Sequence, residues 1–153
     1  GHHTMAVTDD GLLFTWGGGS FGKLGHGSTN AEPLPRLVDR FRFPTAVPIV
    51  AIAAGQQHSA AVSESGKLYT WGQGAQGRLG HGSEADELLP RQVGGPLAEA
   101  RVWLVACGTQ HTAVVTDVRE LYVWGLSRLL GAAAAAASSS DPSHAHDGTA
   151  GRG

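Results

Sequence analysis

Three histidines and three tryptophans divide this chain into near-copies of itself. His3, His58 and His111 recur at spacings of 55 and 53 residues, and Trp16, Trp71 and Trp124 recur at the same two spacings. Residues 16–38 align with 71–93 without a gap and agree at 14 of 23 positions, which chance does not produce. A period of this length marks a structural unit that cannot bury its apolar side alone and must stack on like neighbours. The words return in order: WGGGSFGKLGHGS at 16–28 comes back as WGQGAQGRLGHGS at 71–83, and a Pro-Arg-x-Val segment follows each. A third copy from Gly108 runs through HTAVVTDVRELYVWG and stops matching after Gly125. The chain thus divides into a first repeat over 1–54, a second over 55–107, a partial third over 108–125 and an Ala/Ser/Gly tail over 126–153. Because His3-Thr4-Met5-Ala6-Val7 already lies inside the repeat, the first copy reads as truncated at its start.

Short β-branched or aromatic runs broken by turn residues predict strands at 49–54 and 102–107, at 59–63 and 112–116, and at 68–71 and 121–124. Pro-Arg-x-Val is the expected fourth strand of the unit. Between the second and third strands lie Asp9-Asp10-Gly11 and Glu64-Ser65-Gly66, where glycine supplies the positive φ of a tight hairpin. The third copy has Arg119 at that place, so its turn is expected to be strained or reshaped. Ala51-Ile52-Ala53-Ala54 and Ala60-Ala61-Val62 are small and apolar on both alternating faces, as a sheet stacked between two sheets requires. Four short strands per unit at this period predict an all-β, incomplete β-propeller of about two to two and a half four-stranded blades, with an irregular C-terminal tail.

The Gly-x-x-His-Ser/Thr words, the Trp-Gly pairs and the Leu-Gly-His-Gly-Ser blocks with their trailing Pro-Arg-x-Val closely resemble the regulator of chromosome condensation repeat family. The likeness covers 1–125. It implies a propeller of about seven blades in the complete family member, of which this chain holds fewer than half. It also implies function through protein contact. The founding member exchanges guanine nucleotide on a Ran-like small GTPase, and other members are regulatory propellers of larger ubiquitin ligases or kinases. A plant photoreceptor with this repeat carries Gly-Trp-Arg-His-Thr where strands begin. Gly55-Gln56-Gln57-His58-Ser59 and Gly108-Thr109-Gln110-His111-Thr112 lack those light-absorbing tryptophans.

Several words look chemical in isolation. Residues 17–22 and 72–77 satisfy G-x-G-x-x-G, but Leu-Gly-His-Gly follows instead of a helix that would meet a pyrophosphate. Residues 17–23 match the start of a phosphate-binding loop, yet Leu24 stands where a magnesium-binding hydroxyl belongs, and Arg78 replaces Lys23 in the second copy. Five of the eight histidines are repeat positions, so His3, His58, His111, His26 and His81 read as hydrogen-bonding links between loops or blades. Trp16, Trp71 and Trp124, with the Gly25-His26-Gly27 and Gly80-His81-Gly82 words, read as structural positions of the repeat. No catalytic residue, cofactor or metal ligand is nominated, and no enzyme is expected.

Charge narrows the partners. Eleven Lys and Arg against thirteen Asp and Glu give a net charge of −2, which provides no basic field for nucleic acid. The longest apolar stretch, 129–137, falls far short of the roughly 20 residues of a membrane span. The single Cys107 cannot form an internal disulfide, so an intracellular compartment, cytoplasmic or nuclear, is the expectation. One segment departs from the repeat: Arg40, Phe41, Arg42 and Phe43 stand where the second copy has Gly94-Gly95-Pro96-Leu97. Arginines with aromatics on an inter-strand loop are good interface anchors, which makes these four the candidate partner-binding residues, the alternative being that Phe41 and Phe43 tuck under the blade. A non-catalytic interaction module is the functional expectation, and the open blade faces predict either self-association of the chain or a need for the missing blades to bury them.

Overall fold

The computed structural model describes residues 2–126, which form three antiparallel sheets stacked in chain order. The first holds β1 (His3–Val7), β2 (Leu13–Gly17) and β3 (Glu32–Leu37). The second holds β4 (Ile49–Ala54), β5 (His58–Ser63), β6 (Leu68–Gly72) and β7 (Glu87–Gln92). The third holds β8 (Val102–Cys107), β9 (His111–Thr116) and β10 (Leu121–Gly125). Within each sheet the strands pair in the order of the chain, which is the up-and-down meander of a propeller blade. The fold is an all-β, open arc of propeller blades. The expected tail lies outside the described residues, except Leu126.

Blade and sequence repeat are offset by one strand. β4 closes the first repeat in sequence, yet it pairs with β5 from Ala51 opposite Val62 to Ala54 opposite Ser59. β8 pairs with β9 in the same way. The reason is local. Gly55-Gln56-Gln57 returns β4 directly onto β5, with the Gly55 N–H bonded to the His58 carbonyl at 2.8 Å, whereas β3 and β4 are separated by the longer segment 38–48. Only the middle sheet therefore has all four strands among the described residues.

Each hydrophobic layer lies between two sheets. Leu13, Val38 and Phe41 of the first blade meet Ile49, Ala61, Tyr69 and Trp71 of the second. Ala60, Val62, Leu68 and Leu97 of the second meet Val102, Val114, Tyr122 and Trp124 of the third. Every residue of β5 is buried because both of its faces are covered, which is why Ala60 and Ala61 stay small there. The outer blades cover one face each, and β1 alternates between half-buried and exposed positions.

Candidate functional site

Most of the polar side chains that looked chemical hold one blade to the next. His3 Nε2 lies 2.8 Å from Ser59 Oγ, and that hydroxyl donates to the Lys23 carbonyl at 2.7 Å. His58 Nε2 lies 3.0 Å from Thr112 Oγ1, which donates to the Arg78 carbonyl at 2.7 Å. Each hydroxyl has one proton and spends it on a carbonyl, so it accepts from the imidazole, and the ring carries its hydrogen on Nε2. A second chain of the same type lies inside the first and the second blade. His26 Nε2 lies 2.8 Å from Thr15 Oγ1, which donates to the Leu24 carbonyl at 2.7 Å; His81, Thr70 and the Leu79 carbonyl repeat it. The carbonyls of two consecutive residues in each glycine-rich segment are thus tied down, one to the next blade and one to their own.

Glycine makes room for the inter-blade rings. A Cβ on Gly55 would lie 2.4 Å from His58 Cε1, and one on Gly108 would lie 2.0 Å from His111 Cε1. The Gly-x-x-His word is therefore a packing requirement. Burial lowers the His3 pKa to about 4 and the His58 pKa to about 3, with the nearby Lys23 and Arg78 charges adding to the effect. Both rings are neutral bridges at neutral pH.

The glycine-rich words open three-residue 3-10 turns, Ser20–Gly22 and Ala75–Gly77, and not a helix. Lys23 is fully buried, and its Nζ donates to Ser20 Oγ at 2.8 Å and across the blade boundary to Gln57 Oε1 at 2.7 Å. Arg78 does the same work with Nε to the Ala75 carbonyl and Nη1 to the Thr109 carbonyl of the third blade. Sequence reading missed Lys23, Arg78, Ser59, Thr112, Thr15 and Thr70 as members of these joints. Their signal was present, since each recurs once per repeat in equivalent chemistry. Trp71 and Trp124 are fully buried, and Trp124 Nε1 donates to the Arg78 carbonyl at 3.0 Å. Trp16, which faces away from the second blade, is only half-buried. Burial pushes the Cys107 thiol up to about 12, and its Sγ donates across the blade boundary to the Ala53 carbonyl at 3.8 Å. Among the described residues, no cluster of three His, Cys, Asp or Glu side chains could hold a metal ion, and no helix is long and apolar enough to cross a membrane.

The candidate partner-binding set divides. Phe41 is only 4% exposed, with its ring edge-on to Tyr69 at 4.9 Å and tilted to Trp71 at 5.9 Å, so it is removed from the set. It is buried because the next blade supplies an aromatic wall at that point, a contact that local sequence does not display. Its backbone closes the loop, accepting from the Val47 N–H at 2.7 Å. Arg40, Arg42 and Phe43 project outward. Phe43 is 61% exposed, and the Arg42 guanidinium sits 5.9 Å from its ring centroid. Neither Arg40 nor Arg42 makes an ion pair with a described residue, whereas Arg36 and Arg91 are paired to Glu32 and Glu87 at 2.6 and 2.8 Å. In the second copy Leu97 takes the buried place of Phe41, and the Ala98-Glu99-Ala100-Arg101 that follows it carries no aromatic.

Stacked antiparallel sheets of three and four strands, joined by a repeated histidine–hydroxyl–carbonyl bridge, define a propeller built of repeats. The model of the regulator of chromosome condensation (RCC1) repeat matches residues 10–62 and 65–115, and the chain belongs to that family. The human E3 ubiquitin-protein ligase HERC2 is 42% identical over 128 residues, covering 82% of this chain and 3% of that protein. The ultraviolet-B receptor UVR8 of Arabidopsis thaliana is 39% identical over 126 residues, covering 82% of this chain and 28% of the receptor. Among solved structures, human WBSCR16 superposes with a TM-score of 0.72 at 26% identity, covering 80% of this chain and 30% of that one. Prp20p from Saccharomyces cerevisiae superposes at 0.68 and 27% identity, covering 80% and 31%. The chain therefore spans less than a third of each of these relatives.

Proposed function

We propose that this chain is a non-catalytic protein-interaction module, part of a propeller that presents its inter-blade loops to another protein. The observation that carries the reading is the loop 39–48, in which a buried Phe41 anchors an exposed Arg40, Arg42 and Phe43. A phenyl ring held open beside an unpaired guanidinium has a use at an interface and none in the fold. The buried histidines, Lys23 and Arg78 are committed to blade joints, so they are not free for a partner, whereas the arginines and Phe43 of the loop are exposed. To test this, a photo-crosslinking phenylalanine analogue placed at position 43 should label a defined protein that the same analogue at Leu34 does not. Replacing Arg40, Arg42 and Phe43 by Gly and Ser should then weaken binding of that protein at least tenfold without lowering the unfolding temperature. Equal affinity of the substituted chain overturns the reading.

A second reading, guanine nucleotide exchange on a Ran-like small GTPase, is favoured by the likeness to Prp20p, whose structure is described together with its binding to Gsp1p and histones. The chain would be added to the GTPase loaded with fluorescent GDP. Accelerated release supports exchange, and unchanged release leaves the interaction module alone.

A further inference from the structure

The connection from the first blade to the second carries chemistry that its copy lacks. Segment 38–48 joins β3 to β4 and holds one hydroxyl side chain, Thr45, whereas 93–101, the matching link from β7 to β8, holds none. Arg42 and Arg40 stand three and five places before Thr45. No other serine or threonine of the chain follows an arginine by three places. Thr70, which follows Lys67 by three, is fully buried with its hydroxyl donating to the Leu79 carbonyl at 2.7 Å. Thr45 is exposed, and its hydroxyl has no hydrogen-bond partner among the described residues. Pro44, Thr45 and Ala46 also make no backbone hydrogen bond with described backbone, so the tip of the loop can be drawn out without breaking one. Arg40 and Arg42 are exposed and unpaired with any described carboxylate, while Arg78 and Arg101 are bonded to backbone carbonyls and Arg36 and Arg91 to glutamates. We propose that Thr45 is the phosphate-acceptor site of an arginine-directed serine/threonine kinase, with ATP as the phosphoryl donor.

A kinase of that class reads arginines ahead of the acceptor with carboxylates lining its substrate cleft, and guanidinium–carboxylate pairs are the strong, geometrically exacting kind. Two uncommitted guanidiniums at fixed places before one free hydroxyl meet that need. Ala46, not proline, follows Thr45, and no acidic residue stands in 46–50, which sets aside proline-directed and acid-directed kinases. In the transfer, Thr45 Oγ1 attacks the γ-phosphorus of ATP. The new oxygen–phosphorus bond forms as the bond from that phosphorus to the β,γ-bridging oxygen breaks, ADP leaves with that oxygen, and the hydroxyl proton passes to the kinase's catalytic aspartate. Asp39, Arg40 and Arg42 give 39–48 one net positive charge, and a phosphate of about −1.5 to −2 makes the loop negative. Both arginines then have an anion in their own loop to pair with. The acceptor chemistry of Thr45 is independent of whether the loop also binds a partner.

In the test, the folded 153-residue chain is incubated with magnesium ATP and the catalytic domain of a kinase that selects arginine three and five places before its acceptor. The intact mass should rise by one phosphoryl group, and fragmentation should place that group on Thr45. Thr45→Val should take up none. Arg42→Gln should lower kcat/KM about tenfold or more, the loss of one charge-assisted pair, with near-ultraviolet circular dichroism unchanged, and Arg42→Lys should recover part of the rate. An acid-directed kinase should leave Thr45 unmodified. Four outcomes overturn the proposal: a chain that gains no phosphoryl group, a group that maps elsewhere while Thr45 stays free, an Arg42→Gln chain phosphorylated as fast as the wild type, or equal modification of Thr45 by the acid-directed kinase.

Discussion

Thr112 does three things with one hydroxyl: it lies on the third blade, accepts from a ring of the second, and donates to a carbonyl of the second. Thr112→Val keeps the shape and removes the bridge. Trp124 still donates to the Arg78 carbonyl, so the orphan is the His58 N–H, and an unsatisfied buried donor costs about 1–3 kcal/mol. A urea titration should show that loss as a lowered midpoint with an unchanged slope. The same histidines make the fold acid-sensitive. Their folded pKa values, about 3 for His58 and about 4 for His3, lie below the ordinary 6.5, so between those values the unfolded chain binds more protons. Their effect on stability is absent above pH 6.5, grows as pH falls below it, and levels off near the folded values. The fall in urea midpoint on acidification should be steeper in the wild type than in His58→Gln. Arg119 is a separate case: its φ of 67° costs a non-glycine residue about 1–2 kcal/mol, part of which glycine returns as extra freedom when unfolded. Arg119→Gly should therefore raise stability by about 0.5–1 kcal/mol, readable as a higher melting temperature.

The loop 39–48 shows two neighbouring phenylalanines with opposite duties. Phe41 fills a gap between Tyr69 and Trp71, and Phe41→Ala should cost about 3–5 kcal/mol in a thermal or urea denaturation. Phe43→Ala, at an exposed position, should stay within about 0.5 kcal/mol. Comparable losses from both would mean that Phe43 also packs. Composition alone made these two rings equivalent, because Arg-Phe-Arg-Phe alternates without saying which side meets a neighbouring sheet. The strands were easier to read. Alternating or uniformly small runs, closed by Gly55 or opened after Gly66, are local patterns, and the sheet needs nothing else to choose their span.

Three blades in a row bury the middle one on both sides and the outer ones on one side. The backbone amides of β5 should consequently exchange with deuterium most slowly, and those of β1 and β10 fastest among the strands. Equal protection in β1 and β5 would overturn this ordering.

Repetition carried most of the fold. Words spaced by 55 and 53 residues led to stacked four-strand units, and the recurrence of histidine once per unit marked it as part of the joint. This was legible because blade stacking repeats one geometry, so every residue type it demands must repeat too. Strand pairing across the repeat boundary was not legible. Sequence similarity has the same period wherever the unit is cut, and only the return of β4 onto β5 shows that the blade begins one strand early. The division between Phe41 and Phe43, and the burial of Lys23 against Gln57, likewise required the next blade in place. A side chain's fate at a blade boundary depends on atoms some 30 residues away, and local pattern contains no record of that distance.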